Sequence, residues 1–314
     1  MTAEYDCIVV GGGAAGLSAA LVLGRARRRT LLVDAGDQSN LPAHGVGGLL
    51  GFDGRSPAEL YALGREQLTQ YPSVEVITGE VVDGADLGDS FRLVSADGSE
   101  WTTRRVLLAT GVEYRPPNVP GLRELWGTTV FHCPFCHGWE VRDQPLAVLA
   151  SGEKALHATL LIRNWTDDLV LLANGPADID AEGRALLDEA GVRIDERRVK
   201  EVAAENGRLS AIVFTDGSRL ERSGLMVATT LHQRTKLADQ LGAMSHEHGP
   251  VVTDPIDIDG LGRTTVAGLF AAGDVCTQAP QVATAIATGS VAATAVVQSL
   301  LTEDTGLPFP PRNI

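Results

Sequence analysis

Two cysteines separated by two residues, Cys133 and Cys136, stand in the segment HCPFCHGWE (132–140), with His132 before the pair and His137 after it. Cysteines at this spacing can close a disulfide, and at a helix start the dipole and exposed N–H groups favour the thiolate of one of them. Imidazole gains and loses its proton near neutral pH, so His137 suits removal of a proton from an incoming thiol. A capping or packing role is the alternative for that residue. Zinc binding competes with redox chemistry for any CxxC, but it needs a second pair of ligands at similar spacing. The chain has no second CxxC, and His132 and His137 crowd the same short segment. The pair therefore reads as redox-active, with no metal expected. Cys7, in an apolar strand-like run, reads as a small buried filler, and Cys276 as structural.

A second group of residues points to a nucleotide. Gly11, Gly13 and Gly16 form G-x-G-x-x-G between an apolar strand (5–10) and an apolar helix reaching about Gly24. The first glycine permits the tight turn, the second lets the backbone approach a pyrophosphate, and the third lets helix and strand pack closely. Asp34 ends the next strand (30–33), where a carboxylate can bind ribose hydroxyls. Ala109-Thr110-Gly111 follows another apolar strand, and Gly273-Asp274 ends an apolar stretch at 264–275 before a long helix over about 281–302.

These elements are the opening of a doubly wound α/β sheet. Ser56-Pro57 opens a helix toward Gln70, and 74–78, 91–95 and 104–109 read as strands. The Pro- and Gly-rich stretch 109–121 reads as a linker, followed by a second strand-turn-helix-strand over 145–150, about Asn164, and 168–173. Segments 198–203, 208–214 and 219–228 read as a small β-rich return, and the tail 306–314 as irregular. The chain thus holds two copies of one supersecondary plan.

The fingerprint, the ATG, the GD and the CxxC with its following Gly138 together resemble the low-molecular-weight thioredoxin reductase family over nearly the whole chain. The resemblance implies two Rossmann-like dinucleotide-binding domains of three-layer ββα type: an FAD domain at 1–114 and 246–314, and an inserted NADPH-type domain at 118–243 carrying the CxxC. It implies that Asp274 holds the flavin ribityl chain and that Gln281 and Val282, at the last helix's N-terminus, face the pyrimidine edge of the ring. It extends the FAD contacts to Ala14, Ala15, Ala35, Gln38, Asn40, His44 and Val82. His44 lies in a Gly-rich loop that reads equally as part of a substrate pocket. Cys136 would face the flavin and Cys133 would exchange with substrate. The residue after the second cysteine is usually Asp in the family; here it is His137. A homodimer is implied by the family alone.

The second nucleotide site departs from the family. Ala150-x-Gly152-x-x-Ala155 lacks the first glycine, and Glu153 stands where a pyrophosphate disfavours negative charge. From Asp168 to Val192 Arg184 is the lone basic residue, among Asp168, Asp178, Asp180, Glu182, Asp188 and Glu189. That stretch offers a 2′-phosphate no arginine cluster, so NADPH binding is doubtful. The resemblance then narrows to the thioredoxin-reductase-like dithiol oxidases that install disulfides in natural products of the gliotoxin and holomycin type. They imply a small-molecule dithiol and O₂ as reactants. An NADPH-dependent thioredoxin-disulfide reductase and a flavin-bound redox sensor stand as alternatives.

Composition sets outer bounds. The 314 residues suit two domains, and a formal net charge of −14 opposes nucleic acid or an anionic membrane as partner. Four cysteines are too few for a disulfide-stapled secreted scaffold, and the acidic start MTAEYD lacks a basic signal n-region, so the expected compartment is cytoplasmic. Val275 to Thr302 carries no charge and is long enough to span a bilayer, but its Ala, Thr, Ser and Gly suit a buried helix better.

Overall fold

The computed structural model of the protein describes residues 4–246 and 251–308, without the side chain of Glu153. Part of the tail read as irregular, 309–314, therefore lies outside the described residues. In chain order the elements begin with β1 (Tyr5–Val10), α1 (Ala14–Arg25), β2 (Thr30–Asp34), α2 (Pro57–Leu68) and β3 (Val74–Thr78). They continue with β4 (Val81–Asp86), β5 (Phe91–Ser95), β6 (Glu100–Leu108), β7 (Val112–Arg115), β8 (Val130–Phe131) and α3 (Pro134–His137). Next come β9 (Leu146–Leu149), α4 (Glu153–Ile162), β10 (Leu169–Leu172), α5 (Ala181–Glu189), β11 (Arg193–Asp195) and β12 (Val199–Glu205). The chain closes with β13 (Arg208–Phe214), β14 (Arg219–Glu221), β15 (Gly224–Val227), β16 (Thr230–Gln233), α6 (Leu237–Gln240), β17 (Leu269–Ala271) and α7 (Val282–Thr305).

Two compact units result: Met1–Ser39, Ala58–Tyr114 and Leu231–Ile314 in the first, Asn40–Pro57 and Arg115–Thr230 in the second. The division differs from the sequence-based ranges in two places, each for a packing reason. The 40–57 loop sits on the cysteine segment, so closely that a Cβ on Gly47 would lie 2.9 Å from the Cys136 carbonyl oxygen. Leu237, Leu241 and Ala243, expected in the inserted domain, bury against Phe91 and Leu93 in the core of the first unit.

The first unit is built on a sheet of order β3-β2-β1-β6-β5-β4. β6 is long enough to serve two neighbours on one side: its first half pairs with β5 antiparallel, its second half with β17 in parallel. Val10 and Ala271 both register with Leu108. Parallel strands bury both faces, and alternation decides which residue serves which. Cys7, Val9, Leu32, Leu107 and Phe270 pack with α1 and α7. Ile8, Val10, Leu31, Val33 and Leu108 pack on the opposite side with Phe91 and Leu93 of the meander and Leu237 of α6.

The second unit repeats the plan with an all-parallel sheet, β11-β10-β9-β15-β8. Leu146, Val148, Leu169 and Leu171 pack with Ala155, Ile162 and Leu187 of α4 and α5. Ala147, Leu149, Val170 and Leu172 pack with Leu209, Ile212 and Phe214 of the β12-β13-β14 meander. This is the two-domain, Rossmann-like α/β architecture. The linker at 109–121 contains β7, which pairs with β16 in a separate two-stranded sheet. The expected strand at 264–275 shrinks to Leu269–Ala271, and Gly273–Cys276 turns into a 3-10 helix. α5, a helix the sequence reading left unassigned in an acidic stretch, is capped by the Asp180 carboxylate, which accepts from Gly183 N at 2.8 Å.

α7 is the one helix among the described residues long and apolar enough to cross a membrane. It packs instead on α1 in the core of its unit, burying Ala285, Gly289, Ala292, Ala293, Val296 and Leu300. Small side chains let the helices approach until a Cβ on Gly289 would lie 2.1 Å from the Ala15 carbonyl oxygen. A methyl there has backbone in its way, and such overpacking costs about 1–3 kcal/mol. Gly289→Ala is therefore expected to lower the urea midpoint by a matching amount at unchanged slope; an unchanged midpoint would refute this account of the crossing.

Candidate active site

In the first unit the turn after β1 is shaped by its neighbours. Gly11 adopts φ +107°, and a Cβ on it would lie 2.3 Å from the Ala109 carbonyl oxygen, so the ATG segment presses directly on the fingerprint. Gly13 caps α1 without a side-chain hydrogen bond, and a Cβ on it would meet nothing nearer than Gln38 Cγ at 3.8 Å. The backbone is thus open at the position where a pyrophosphate must come close. Ala14, Ala15 and Gly16 follow in the first turn of α1.

Asp34, buried at the end of β2, is already well engaged. Its Oδ1 accepts from Gly36 N and Gln38 Nε2, both at 2.9 Å, and Oδ2 accepts from Arg65 at 3.1 Å. A carboxylate offers about four acceptor positions, so hydroxyl binding remains open to it. Arg65, on α2, escaped the sequence reading because nothing in the spacing ties it to Asp34. Gln38 also donates to the Gly12 carbonyl at 3.3 Å, bracing the turn. Ala35 is exposed beside Asp34, and Val82 is exposed on β4.

Across the same sheet, Ala109, Thr110 and Gly111 follow β6, and Gly273 and Asp274 follow β17. Burial pushes the Asp274 carboxyl up to about 6, and no hydrogen bond to it is found among the described residues. A desolvated acid without a partner is costly unless a ligand hydroxyl supplies one. Gln281 caps α7 in extended conformation, with no side-chain bond to the helix N-terminus, and Val282 begins the helix. An open Gly13, an unpartnered Asp274 and a free helix N-terminus fit FAD. Asn40 and His44, also expected at the cofactor, fall in the second unit.

The cysteine pair lies in the second unit, after β8. Cys133 caps a single turn of helix, α3, so the pair stands at a helix start as expected, and a 3-10 turn (Gly138–Val141) follows. Gly138 lies against Trp165, where a Cβ would come within 2.9 Å of the indole ring. The Cys136 thiol, hydrogen-bonded to the Cys133 sulfur, holds the Cys133 thiol below its ordinary range, against desolvation. Burial pushes the Cys276 thiol up to about 12 and raises that of Cys7 further, so neither is a nucleophile. Among the described residues no group of three or more His, Cys, Asp or Glu is placed to hold a metal ion.

His137 stacks on Phe131, with ring centroids 5.5 Å apart and planes 13° from parallel. Its Nε2 lies 3.1 Å from the Gly127 carbonyl oxygen. A carbonyl only accepts, so Nε2 carries the hydrogen and Nδ1 keeps the lone pair. Nδ1 is buried without a hydrogen-bond partner among the described residues. Burial lowers the proton affinity of the ring, partly offset by the Gly127 carbonyl, the Glu140 carboxylate and the Cys133 backbone carbonyl. His132 is pushed down to about 4 by burial and then by His137. The segment thus holds a neutral base at neutral pH.

The second nucleotide fold keeps its backbone plan. Gly152 adopts φ +68° before α4, Ala155 is fully buried, and Ala150 stands where the first unit has Gly11. The Glu153 side chain, expected to oppose a pyrophosphate, lies outside the described residues. One basic group arrives from outside 168–192. Arg198, just before β12, donates to the Asn174 carbonyl at 3.3 Å and lies beside Gly175 at the end of β10. Arg197 instead binds Asp195 and stacks on Phe214, and Arg184 pairs with Glu196 at 2.9 Å.

Residues 5–289 match the family model for pyridine nucleotide-disulphide oxidoreductases. The chain is 33% identical over 312 residues to thioredoxin reductase tcpT of Claviceps purpurea (strain 20.1), covering 96% of each protein. Among solved structures it is similar to HlmI, with TM-score 0.91 and 38% identity, covering 98% of this chain and 96% of that one. It is similar as well to an oxidoreductase from Agrobacterium tumefaciens, with TM-score 0.89 and 38% identity, covering 95% of this chain and 99% of that one.

Gly13 separates folding from cofactor binding. Gly13→Ala is expected to change the unfolding free energy of the flavin-free protein, from urea titration, by no more than about 0.5–1 kcal/mol, because the added methyl meets nothing nearer than Gln38 Cγ at 3.8 Å. It is expected to cut the flavin retained through gel filtration, read from the visible absorbance. Full retention would show that the pyrophosphate does not pass over Gly13.

Proposed function

The chain belongs to the pyridine nucleotide-disulphide oxidoreductase family and is a thioredoxin-reductase-like flavin enzyme, and from that premise we propose that it is an FAD-dependent dithiol oxidase acting on small-molecule dithiols. The observation that carries the reading is the neutral His137 directly after Cys136, with Nε2 tied to the Gly127 carbonyl and Nδ1 left to accept a proton. A reductase has to deliver electrons to a disulfide; an oxidase has to deprotonate thiols, and a desolvated imidazole does that at neutral pH.

The thiol chemistry balances on this chain's own residues. One substrate thiolate attacks Cys133 of the Cys133–Cys136 disulfide; the S–S bond breaks and Cys136 leaves as thiolate. The second substrate thiol gives its proton to His137 and attacks the substrate sulfur of the mixed disulfide. That closes the product disulfide and releases Cys133 as the thiolate. The substrate loses two electrons, the cysteine pair gains them, and both thiol protons leave the sulfurs. FAD, which the Gly11–Gly16 turn, Asp34, Asp274 and the start of α7 would hold, would supply the two-electron path from the reduced cysteine pair to O₂, giving H₂O₂. A cytoplasmic location is consistent with a pair that must cycle through its reduced form.

One observation favours a second reading, an NADPH-dependent disulfide reductase: the Arg198 guanidinium at the end of β10 could meet a 2′-phosphate. Anaerobic mixing separates the two. The oxidase reading expects dithiothreitol to bleach the flavin and NADPH to leave it coloured on the same timescale; the reverse order makes the protein a reductase. In air, dithiothreitol is expected to drive O₂ uptake with matching H₂O₂ and no nicotinamide, and Cys136→Ser to abolish it. Absence of uptake with wild type, or its persistence in Cys136→Ser, overturns the proposal.

The pH dependence follows from the lowered affinity of His137. The base works only when neutral, so activity is full above its folded value and falls as pH drops through it. Since that value lies below the ordinary ~6.5, the ratio of the wild-type to the His137→Ala rate of anaerobic bleaching, in which the common loss of substrate thiolate cancels, is expected to fall only in solution more acid than pH 6.5. His137→Ala should slow bleaching by about 10²–10⁴-fold at neutral pH; a fall of that ratio centred above pH 6.5 would exclude His137 as the base.

A further inference from the structure

Among the described residues two Phe, Tyr or Trp side chains are exposed, Phe135 at 59% and Trp139 at 65%, and both lie in the segment 132–140 that holds the cysteine pair. The other described residues of these three types are buried or half-buried. Phe135 stands between Cys133 and Cys136, and Trp139 follows Cys136 by three positions. Apolar side chains scattered singly over a surface need no explanation, whereas two large rings beside one reactive pair of sulfurs form a patch that does.

Neither ring is loose. Phe135 meets Trp165 edge-on, with ring centroids 5.7 Å apart and planes at 81°. Trp165 in turn lies against Gly138, the residue before Trp139, where a Cβ would come within 2.9 Å of the indole. The Arg142 guanidinium sits 3.8 Å from the centre of the Trp139 ring, and its Nη1 donates to the Trp139 carbonyl at 2.6 Å. That contact covers one face of the indole, so the exposure of Trp139 belongs to the other face and the edges. Rings already held in place lose little freedom when a ligand arrives, which makes them effective contact surfaces.

Area and position together define the ligand. At about 200 Å² per aromatic side chain, exposures of 59% and 65% leave roughly 250 Å² of ring surface. A lasting protein complex takes about 800 Å² from each partner, so the patch suits the ring system of a small molecule. Position supplies the second constraint. In the mixed disulfide the substrate sulfur is bonded to Cys133, which caps α3, so the substrate's carbon frame has to lie beside that single turn of helix.

We infer that Phe135 and Trp139 are specificity-determining residues of the dithiol site: they form an aromatic ledge that holds a flat, apolar substrate body while its sulfurs react at Cys133. The inference rests on the dithiol-oxidase reading and deepens it, because it names the class of dithiol. The sulfurs are carried on an aromatic or other planar apolar ring system, in preference to an open polar chain or a cysteine pair in a protein. The ledge adds no bond and moves no electron; it acts by binding the part of the substrate that does not react.

The test compares two probe dithiols on the flavin-loaded protein without air: benzene-1,2-dimethanethiol, which carries a ring, and dithiothreitol, which does not. The ratio of their second-order rate constants for flavin bleaching measures specificity, and an effect of a substitution on the cysteine pair or the flavin cancels from it. The wild-type ratio is expected to favour the aromatic dithiol. Phe135→Ala and Trp139→Ala should each lower it by about 3–10-fold, the worth of one aromatic pair, while Trp139→Phe should keep most of it. A second readout needs no turnover. The indole N–H resonance of Trp139, identified by its loss in Trp139→Phe, should move on addition of the cyclic disulfide of benzene-1,2-dimethanethiol and stay in place with oxidised dithiothreitol. A ratio untouched by both alanine substitutions, with an unmoved resonance, overturns the inference and leaves the oxidase reading intact. Bleaching by reduced thioredoxin that is faster than by either small dithiol, and is lost in Trp139→Ala, assigns the ledge to a protein and overturns it too. If no dithiol bleaches the wild type, the oxidase reading falls, and the resonance alone decides whether the ledge binds an apolar ring: an unmoved one overturns it.

Discussion

Two imidazoles and two thiols are withdrawn from water together between His132 and His137, and the energetics of that desolvation constrain what can surround them. Burial disfavours every charged form in the segment, so the rings stay neutral and a thiolate needs a local donor. Each available compensation is used. Cys136 serves Cys133, the Gly127 carbonyl serves His137, and Phe131 and Trp165 supply flat apolar walls. The Gly-rich 40–57 loop covers the segment because a side chain at Gly47 would collide with Cys136 backbone. Reactivity here is a property of the enclosure as much as of the CxxC spelling.

Much of the fold was legible because it rests on local chemistry. The short apolar runs YDCIVV and TLLV mark strands buried on both faces of a parallel sheet, and the glycine spacing at 11–16 names the turn between strand and helix. What stayed hidden depends on contacts between distant residues. Arg65 reaches Asp34 from α2, Arg198 reaches Asn174 across the intervening helix α5, and His44 lines one small cavity with Cys136. No composition or period encodes such meetings. The length of α3 was likewise not encoded locally: Gly138 is pressed on Trp165, and the regular helix ends there.

The two copies of the nucleotide-binding plan show how far a fold outlasts a site. Both place a parallel sheet between helices and an antiparallel meander, and both bury alternate faces. Packing preserves that plan irrespective of ligand, since apolar area is lost if any layer is missing. The cradle depends on a few atoms. Gly11 accommodates a neighbouring carbonyl at 2.3 Å from where a Cβ would sit, while the matching position in the second copy is Ala150. Fold similarity therefore carries the chemistry of the first copy more securely than that of the second.

The shared register of β1, β6 and β17 has a consequence for how the chain tolerates change. Val10 and Ala271 meet Leu108 at one level of the sheet, and Gly11, Ala109 and the Ala272-Gly273 turn emerge directly beyond that level. β6 thus acts as a ruler for three segments that are more than 150 residues apart in sequence at the extremes. Losing a single residue from its second half would displace the loops after it relative to both neighbours, and swap the faces of every side chain beyond the gap. Insertions in the long connections leave the ruler untouched. Length variation among relatives of this enzyme should accordingly gather in the connections and avoid Val106–Leu108.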